Sequence, residues 1–187
     1  MKKTGAIALL ALLVAILAGC GLNVPTGQGQ YYWVELQPSQ WGFEVDNSGM
    51  IKIAQNAAQV LVAPGAPAAV LEKVEVAYYD GEGNLLFEDD AGYSGSLPVA
   101  IPEGIICTGS DTVCTKDSSN WEYGWAKSEK FTFSMQGKVA ISMLDEAAAG
   151  NPTLGWHAHV VFHAHTLTNV PISWQQDINI IYPLTTK

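Results

Sequence analysis

Residues 156–182 read WHAHVVFHAHTLTNVPISWQQDINIIY, and their alternation decides the fold. In the first half the even positions are Trp156, Ala158, Val160, Phe162 and Ala164, while His157, His159, His163 and His165 are odd. In the second half Ile172, Trp174, Ile178, Ile180 and Tyr182 are even and apolar, whereas Ser173, Gln175, Asp177 and Asn179 are odd and polar. Side chains on a strand point alternately to opposite faces, so this period of two marks two half-buried strands. Asn169-Val170-Pro171 supplies the turn between them. The pair is expected to be a hairpin with an apolar face on a core and a polar face carrying all four histidines of the chain. A tight turn would set Asp177 beside His163 or one step from it, and Glu75 would flank the histidines if its strand is the other neighbour.

Working outward, the same period recurs. Tyr31 to Leu36 is an aromatic and β-branched run, and Met50 to Ile53 and Gln59 to Ala63 are short candidate strands. Val70, Val74, Val76 and Tyr78 alternate with Lys73, Glu75 and Ala77, and Asp80-Gly81-Glu82-Gly83-Asn84 turns into Leu85 to Phe87. Leu97 to Ile101 is a further short run. Phe131 to Met135 and Val139 to Met143 flank Gln136-Gly137 and predict a second hairpin, with one helical turn over Asp145 to Ala149. Eight to ten short strands at close spacing predict an all-β antiparallel sandwich over residues 31–187, with a polar loop or insertion at about 103–128. The closing pair of strands resembles the F–G hairpin of an immunoglobulin- or fibronectin-III-like domain. That resemblance implies an immunoglobulin-like β-sandwich, although no Cys…Trp…Cys signature is present.

Composition narrows the function classes. The chain has 187 residues, 48% apolar and 14% charged, with a formal charge of −9. The apolar content supports a packed core and excludes a disordered chain. All nine basic residues are lysines. An acidic chain without arginine lacks the positive footprint and the guanidinium forks of nucleic-acid recognition, so no nucleic-acid partner is expected.

The first residues form an address. Lys2 and Lys3 precede an almost purely apolar run from residue 6 to 17, followed by Ala18, Gly19 and Cys20. This is the order of a secretory signal, and its apolar run is shorter than the roughly 20 residues of a transmembrane helix. Leu17-Ala18-Gly19-Cys20 resembles the lipobox of bacterial lipoproteins. The resemblance implies a signal-peptide helix over 1–19, removed on export, and a lipidated Cys20 heading a tether over 20–30. It also implies a membrane-anchored, extracytoplasmic domain. Gly21 stands where an Asp would resemble an inner-membrane retention signal, which favours the outer membrane, or the outer face of the cytoplasmic membrane where no outer one exists. Without residues 1–19 the chain keeps seven lysines against eighteen carboxylates, a charge of −11. Cys107 and Cys114 then remain as an even pair in a disulfide-permissive compartment and are expected to bridge.

Three features are candidate sites. His-x-His pairs place imidazoles on one face about 6.5 Å apart, a spacing that lets two of them reach one metal ion. His163, His165 and Asp177 form the sharper candidate for Zn or Cu, and His157 with His159 a second. The competing reading is an exposed polar face whose imidazoles bind no metal and only take up protons in mild acid. A superoxide-dismutase-like pair of metal sites would need six histidines, and only four exist. Trp121, Tyr123 and Trp125 alternate as well. They either seal a long loop onto the core or form an aromatic platform for a glycan or envelope protein. Asp80 to Asn84 resembles the start of a calcium loop, but Leu85 and Ala91 occupy the positions that need Gly and an acid, so a plain turn is expected. No nucleophile elbow, phosphate loop or dinucleotide motif occurs. The expected function is a non-catalytic binding or structural module of the cell envelope. A metal-binding envelope protein is the alternative, and a metalloenzyme the weaker one.

Overall fold

The computed structural model describes residues 31–89, 93–108, 114–117, 119–151 and 154–182. The expected signal helix, Cys20 and the tether therefore lie outside the described residues. In chain order the elements are β1 (Tyr32–Gln37), β2 (Trp41–Val45), β3 (Ile51–Ile53), β4 (Ala57–Val62), β5 (Ala69–Tyr79), β6 (Leu85–Asp89), β7 (Tyr93–Gly95), β8 (Val99–Ile101), β9 (Ile105–Cys107), β10 (Trp121–Tyr123), β11 (Ala126–Lys127), β12 (Phe131–Met135), α1 (Gly137–Ala148), β13 (His157–Thr166) and β14 (Pro171–Ile181). No helix among the described residues is long and apolar enough to cross a membrane.

Two sheets pack as a sandwich. The first runs β1-β4-β12-β7, with β11 also on β4. The second runs β3-β2-β14-β13-β5-β6, with β8 also on β5. Their inner faces follow the alternation read from the sequence. Ala158, Val160, Phe162 and Ala164 of β13 are buried, as are Ile172, Trp174, Ile178 and Ile180 of β14. Phe162 sits between the layers, 5.1 Å from the Trp174 ring and 5.7 Å from that of Phe133 on β12. Fully burying side chains of this size contributes on the order of 1.5–3 kcal/mol each, which is why they occupy the centre.

Polar groups clamp the layers where the chain crosses between them. The Trp41 indole Nε1–H donates to the Phe133 carbonyl at 3.0 Å. Gln176 on β14 reaches across to the edge of β1, accepting from Val34 N at 2.9 Å and donating to Val34 O at 2.8 Å. Buried Asn56 donates to the carbonyls of Pro38 and Gln40, fixing the segment that carries the chain from β1 to β2. Buried backbone groups must find such partners, and here side chains supply them.

Four features differ from expectation. Fourteen strands occur among the described residues, more than the eight to ten expected, because β2 and β7 were not anticipated and the stretch at 103–128 is not one irregular loop. It holds the β9–β10 hairpin, in which Cys107 pairs with Trp121, and also β11, which joins the first sheet. The sandwich is not wholly antiparallel, since β2 runs parallel to β14 through Ile180↔Trp41 and Ile181↔Gly42. The expected hairpin over 131–143 is instead strand β12 followed by helix α1. Val139, Ala140 and Met143 are its buried residues, and Ile141 points outward. The alternation of Val139, Ile141 and Met143 suggested a strand, but the helical spacing of 139, 140 and 143 is the one that buries. Finally, the β13–β14 turn sits earlier in the chain than Asn169-Val170-Pro171, with Leu167 to Val170 between the strands, Asn169 at φ 63 and Pro171 already opening β14. Pro is admissible as the first residue of a strand. The register therefore pairs Asp177 with His159, not with His163.

Candidate binding face

The candidate face is the outer side of β5, β13 and β14. β13 is flanked on both sides, antiparallel to β14 and to β5, so each outward side chain has neighbours on two strands. His157, His159, His163 and His165 all point outward between these neighbours and are partly exposed.

Each imidazole has a polar contact. His159 Nδ1 lies 2.7 Å from Asp177 Oδ1, directly across the hairpin. An ionised carboxylate only accepts, so the Nδ1–H donates and Nε2 keeps the lone pair when the ring is neutral. His157 Nδ1 lies 3.1 Å from the Gly155 carbonyl, which selects the same tautomer, and its ring stacks on Tyr79 at 5.2 Å. His165 Nδ1 is 3.0 Å from Glu72 Oε2. His163 Nε2 is 3.3 Å from Glu75 Oε2, a close contact that lacks hydrogen-bond geometry. The expected Glu75 neighbour is thus in place.

A bulge in β5 makes the Glu72 contact. His163 pairs with Lys73 and Ala164 pairs with Leu71, which leaves Glu72 as an extra residue. Glu72 and Lys73 are consecutive and both exposed between buried Leu71 and Val74. A bulge breaks the alternation locally and re-aims a side chain, here a carboxylate toward His165. Lys73 Nζ also lies 2.7 Å from Glu75 Oε1. This ammonium, with His163 behind it, holds the Glu75 carboxyl below its usual range. Beside the stripe is an open groove of about 230 Å³ lined by Glu75, Ala77, Tyr79, Glu88, His159 and Val161.

The structure does not assemble His163, His165 and Asp177, because the register moves Asp177 onto His159. No group of three or more His, Cys, Asp or Glu side chains among the described residues is arranged to hold a metal ion. The His-x-His pair in which both rings engage through Nδ1 is His157 with His159. The carboxylates Glu72 and Glu75 were not both readable from the sequence. Glu75 followed from alternation, whereas Glu72 is on this face only because of the bulge.

The other candidates fall as follows. Cys107 and Cys114 form a disulfide. Trp121 and Tyr123 share a side of β10, with ring centroids 5.2 Å apart. Trp125 lies beyond that strand and packs edge-on against Trp33 of β1 at 4.8 Å. Tyr123 and Trp125 are more than half exposed, so they do not simply seal the loop onto the core. The Asp80 carboxylate is occupied by its own turn, accepting from the N–H groups of Glu82 and Asn84 and from the Asn84 side chain. These bonds lower its pKa, and they account for the acidic pentapeptide without calcium.

Comparison of the chain with protein-family models finds no match, and comparison with curated proteins finds none.

Proposed function

We propose that the chain is a lipid-anchored, extracytoplasmic binding module of the cell envelope, without catalytic activity, and that its binding face is the histidine side of β5, β13 and β14. The observation that carries this reading is a partly exposed sheet face on which four imidazoles each meet a carboxylate or a carbonyl. Such a face offers a fixed pattern of donors and acceptors rather than a deep cleft. Its carboxylates Glu72, Glu75, Glu88 and Asp177 suit a partner with cationic groups, and imidazole protonation would weaken that attraction.

The order of strands supports an immunoglobulin-like assignment. β1-β4-β12-β7 occupy the places of strands A, B, E and D, while β5, β13 and β14 occupy those of C, F and G. β6 extends the second sheet as an additional C′ strand does. The leader of residues 1–19 and Cys20 support the anchor, and Gly21 supports the outer membrane. The Cys107–Cys114 bridge is consistent with an oxidising compartment.

The test is an in-cell scan with a photo-crosslinking amino acid. A probe at Val161, amid the histidines, should yield a discrete higher-mass adduct, and a probe at Gln59 on the first sheet should not. Equal adducts at both positions, or none at Val161, would refute the assignment of the face.

A second reading is favoured by one observation, the His157–His159 pair with both Nδ1 atoms engaged. A ligating imidazole commonly donates its other N–H to a carboxylate or carbonyl, as both rings here do. Zn²⁺ or Cu²⁺ would be the ion, with further ligands from solvent or a partner. Calorimetric titration of the untagged protein should then show binding that His157→Ala with His159→Ala abolishes and His163→Ala with His165→Ala spares. Affinity weaker than about 10 μM for both ions would leave this reading without support.

A further inference from the structure

The exposed aromatic side chains gather where the chain enters the domain. Tyr31 precedes β1, and its carbonyl accepts from Ala63 N at the far end of β4. Tyr32 pairs with Val62, which also pairs with Ala126. Trp125, one residue earlier, packs on Trp33. Ile106 of β9 lies against Gly124, between Tyr123 and Trp125 in the chain. Tyr31, Ile106, Tyr123 and Trp125 are 40%, 40%, 58% and 54% exposed. Two ion pairs lie at the rim, Lys127 with Glu35 at 2.6 Å and Lys116 with Glu103.

We propose that this aromatic end rests on the headgroup layer of the membrane that holds Cys20. The proposal rests on the anchor reading above and adds an orientation to it. Tyr and Trp suit that layer because each joins an apolar ring to a polar N–H or O–H. Chain length keeps the patch close. Residues 21–30 separate Cys20 from Tyr31 and include no charged residue. A chain of that length reaches at most about 35 Å at full extension. Tethering so short keeps the patch at a high effective concentration near the bilayer, so weak individual contacts suffice. Paired rim charges lower the desolvation cost against zwitterionic headgroups.

The test uses the full-length protein, lipidated by its host, extracted and reconstituted into phosphatidylcholine vesicles with or without bromine at acyl positions 6 and 7. Of the six tryptophans, Trp41, Trp156 and Trp174 are buried and serve as an unquenched background. Brominated lipid should remove roughly one sixth to one third of the emission, the share of one or two tryptophans at the interface. Trp125→Phe should remove most of the quenched part, and Tyr123→Ser with Trp125→Ser should remove it all while circular dichroism stays unchanged. Because the wild-type measurement decides alone, a variant that misfolds does not rescue or sink the proposal. Protein that floats with the vesicles but shows no quenching would overturn docking while the anchor stands, leaving the patch to a protein or glycan. Protein that fails to float would overturn both.

Discussion

At the scale of single residues, carboxylates decide how the domain answers to pH. The Asp46 carboxylate accepts from the Ser48 hydroxyl and from the N–H groups of Met50 and Ser48, and these bonds hold its pKa well below the usual carboxylate range. Asp80 is depressed by the Asn84 side chain and the N–H groups of its turn, and Glu75 by Lys73 and His163. A depressed folded-state pKa means that the unfolded chain binds protons first as pH falls. The stabilisation is present above the unfolded value of about 4 and is lost as pH drops through the lower folded values. Urea midpoints measured from pH 5 to pH 2 should therefore fall, and Asp46→Asn should flatten that fall; parallel curves for the two proteins would contradict it. Gln176 acts differently, through the Val34 backbone groups. Gln176→Leu should cost about 1–3 kcal/mol by urea denaturation, because it leaves a part-buried N–H and C=O unpaired. Which residues face outward was legible at this scale, since a period of two needs no knowledge of partners. Which carboxylate meets which histidine was not. It depends on a left-handed Asn169 in the turn and on a bulge at Glu72, and neither leaves a mark on the alternation.

At the scale of elements, α1 shows how two periodicities compete. Its apolar residues satisfy a strand reading over five positions and a helix reading over twelve. The longer span prevails because only the helix turns Val139, Ala140 and Met143 to the core together. Its end carries a signal the alternation concealed. Gly150 has φ +82, its N–H donates to Ala147 O at 3.1 Å, and Asn151 N donates to Glu146 O at 2.9 Å. These are the two bonds of a Schellman cap, which favours glycine at the left-handed position. Gly150→Ala should cost about 1–2 kcal/mol by thermal unfolding, whereas Ser142→Ala on the same helix should stay within about 0.5 kcal/mol. The β9–β10 hairpin escaped the sequence for another reason. Three-residue strands are too short to display a period, and the hairpin is held by pairing between segments 14 residues apart at Cys107 and Trp121 and by the nearby bridge. Replacing both Cys107 and Cys114 with Ser should cost about 2–3 kcal/mol by loop entropy, read as a lower urea midpoint.

At the scale of the molecule, the sandwich separates two surfaces of different chemistry. The second sheet turns a histidine and carboxylate face outward, and exposed aromatic side chains gather near Tyr31, along β1 of the first sheet and the β9–β10 hairpin. The sandwich itself was legible because strand after strand repeats one alternation, and only one inner layer can satisfy them all. The crossing of the chain from β1 to β2, the parallel neighbour of β14, was not, since it depends on Asn56 and Trp41 reaching main-chain carbonyls far along the sequence. Anchor, tether and the orientation proposed for the aromatic end all depend on Cys20. The most direct measurement is the mass of the N-terminal peptide from protein extracted out of its native membrane. The expected result is a chain beginning at Cys20 with a diacylglyceryl group on its sulfur, lost together with membrane association in Cys20→Ser. A mature chain beginning elsewhere, or a Cys20 with a free thiol, would contradict it.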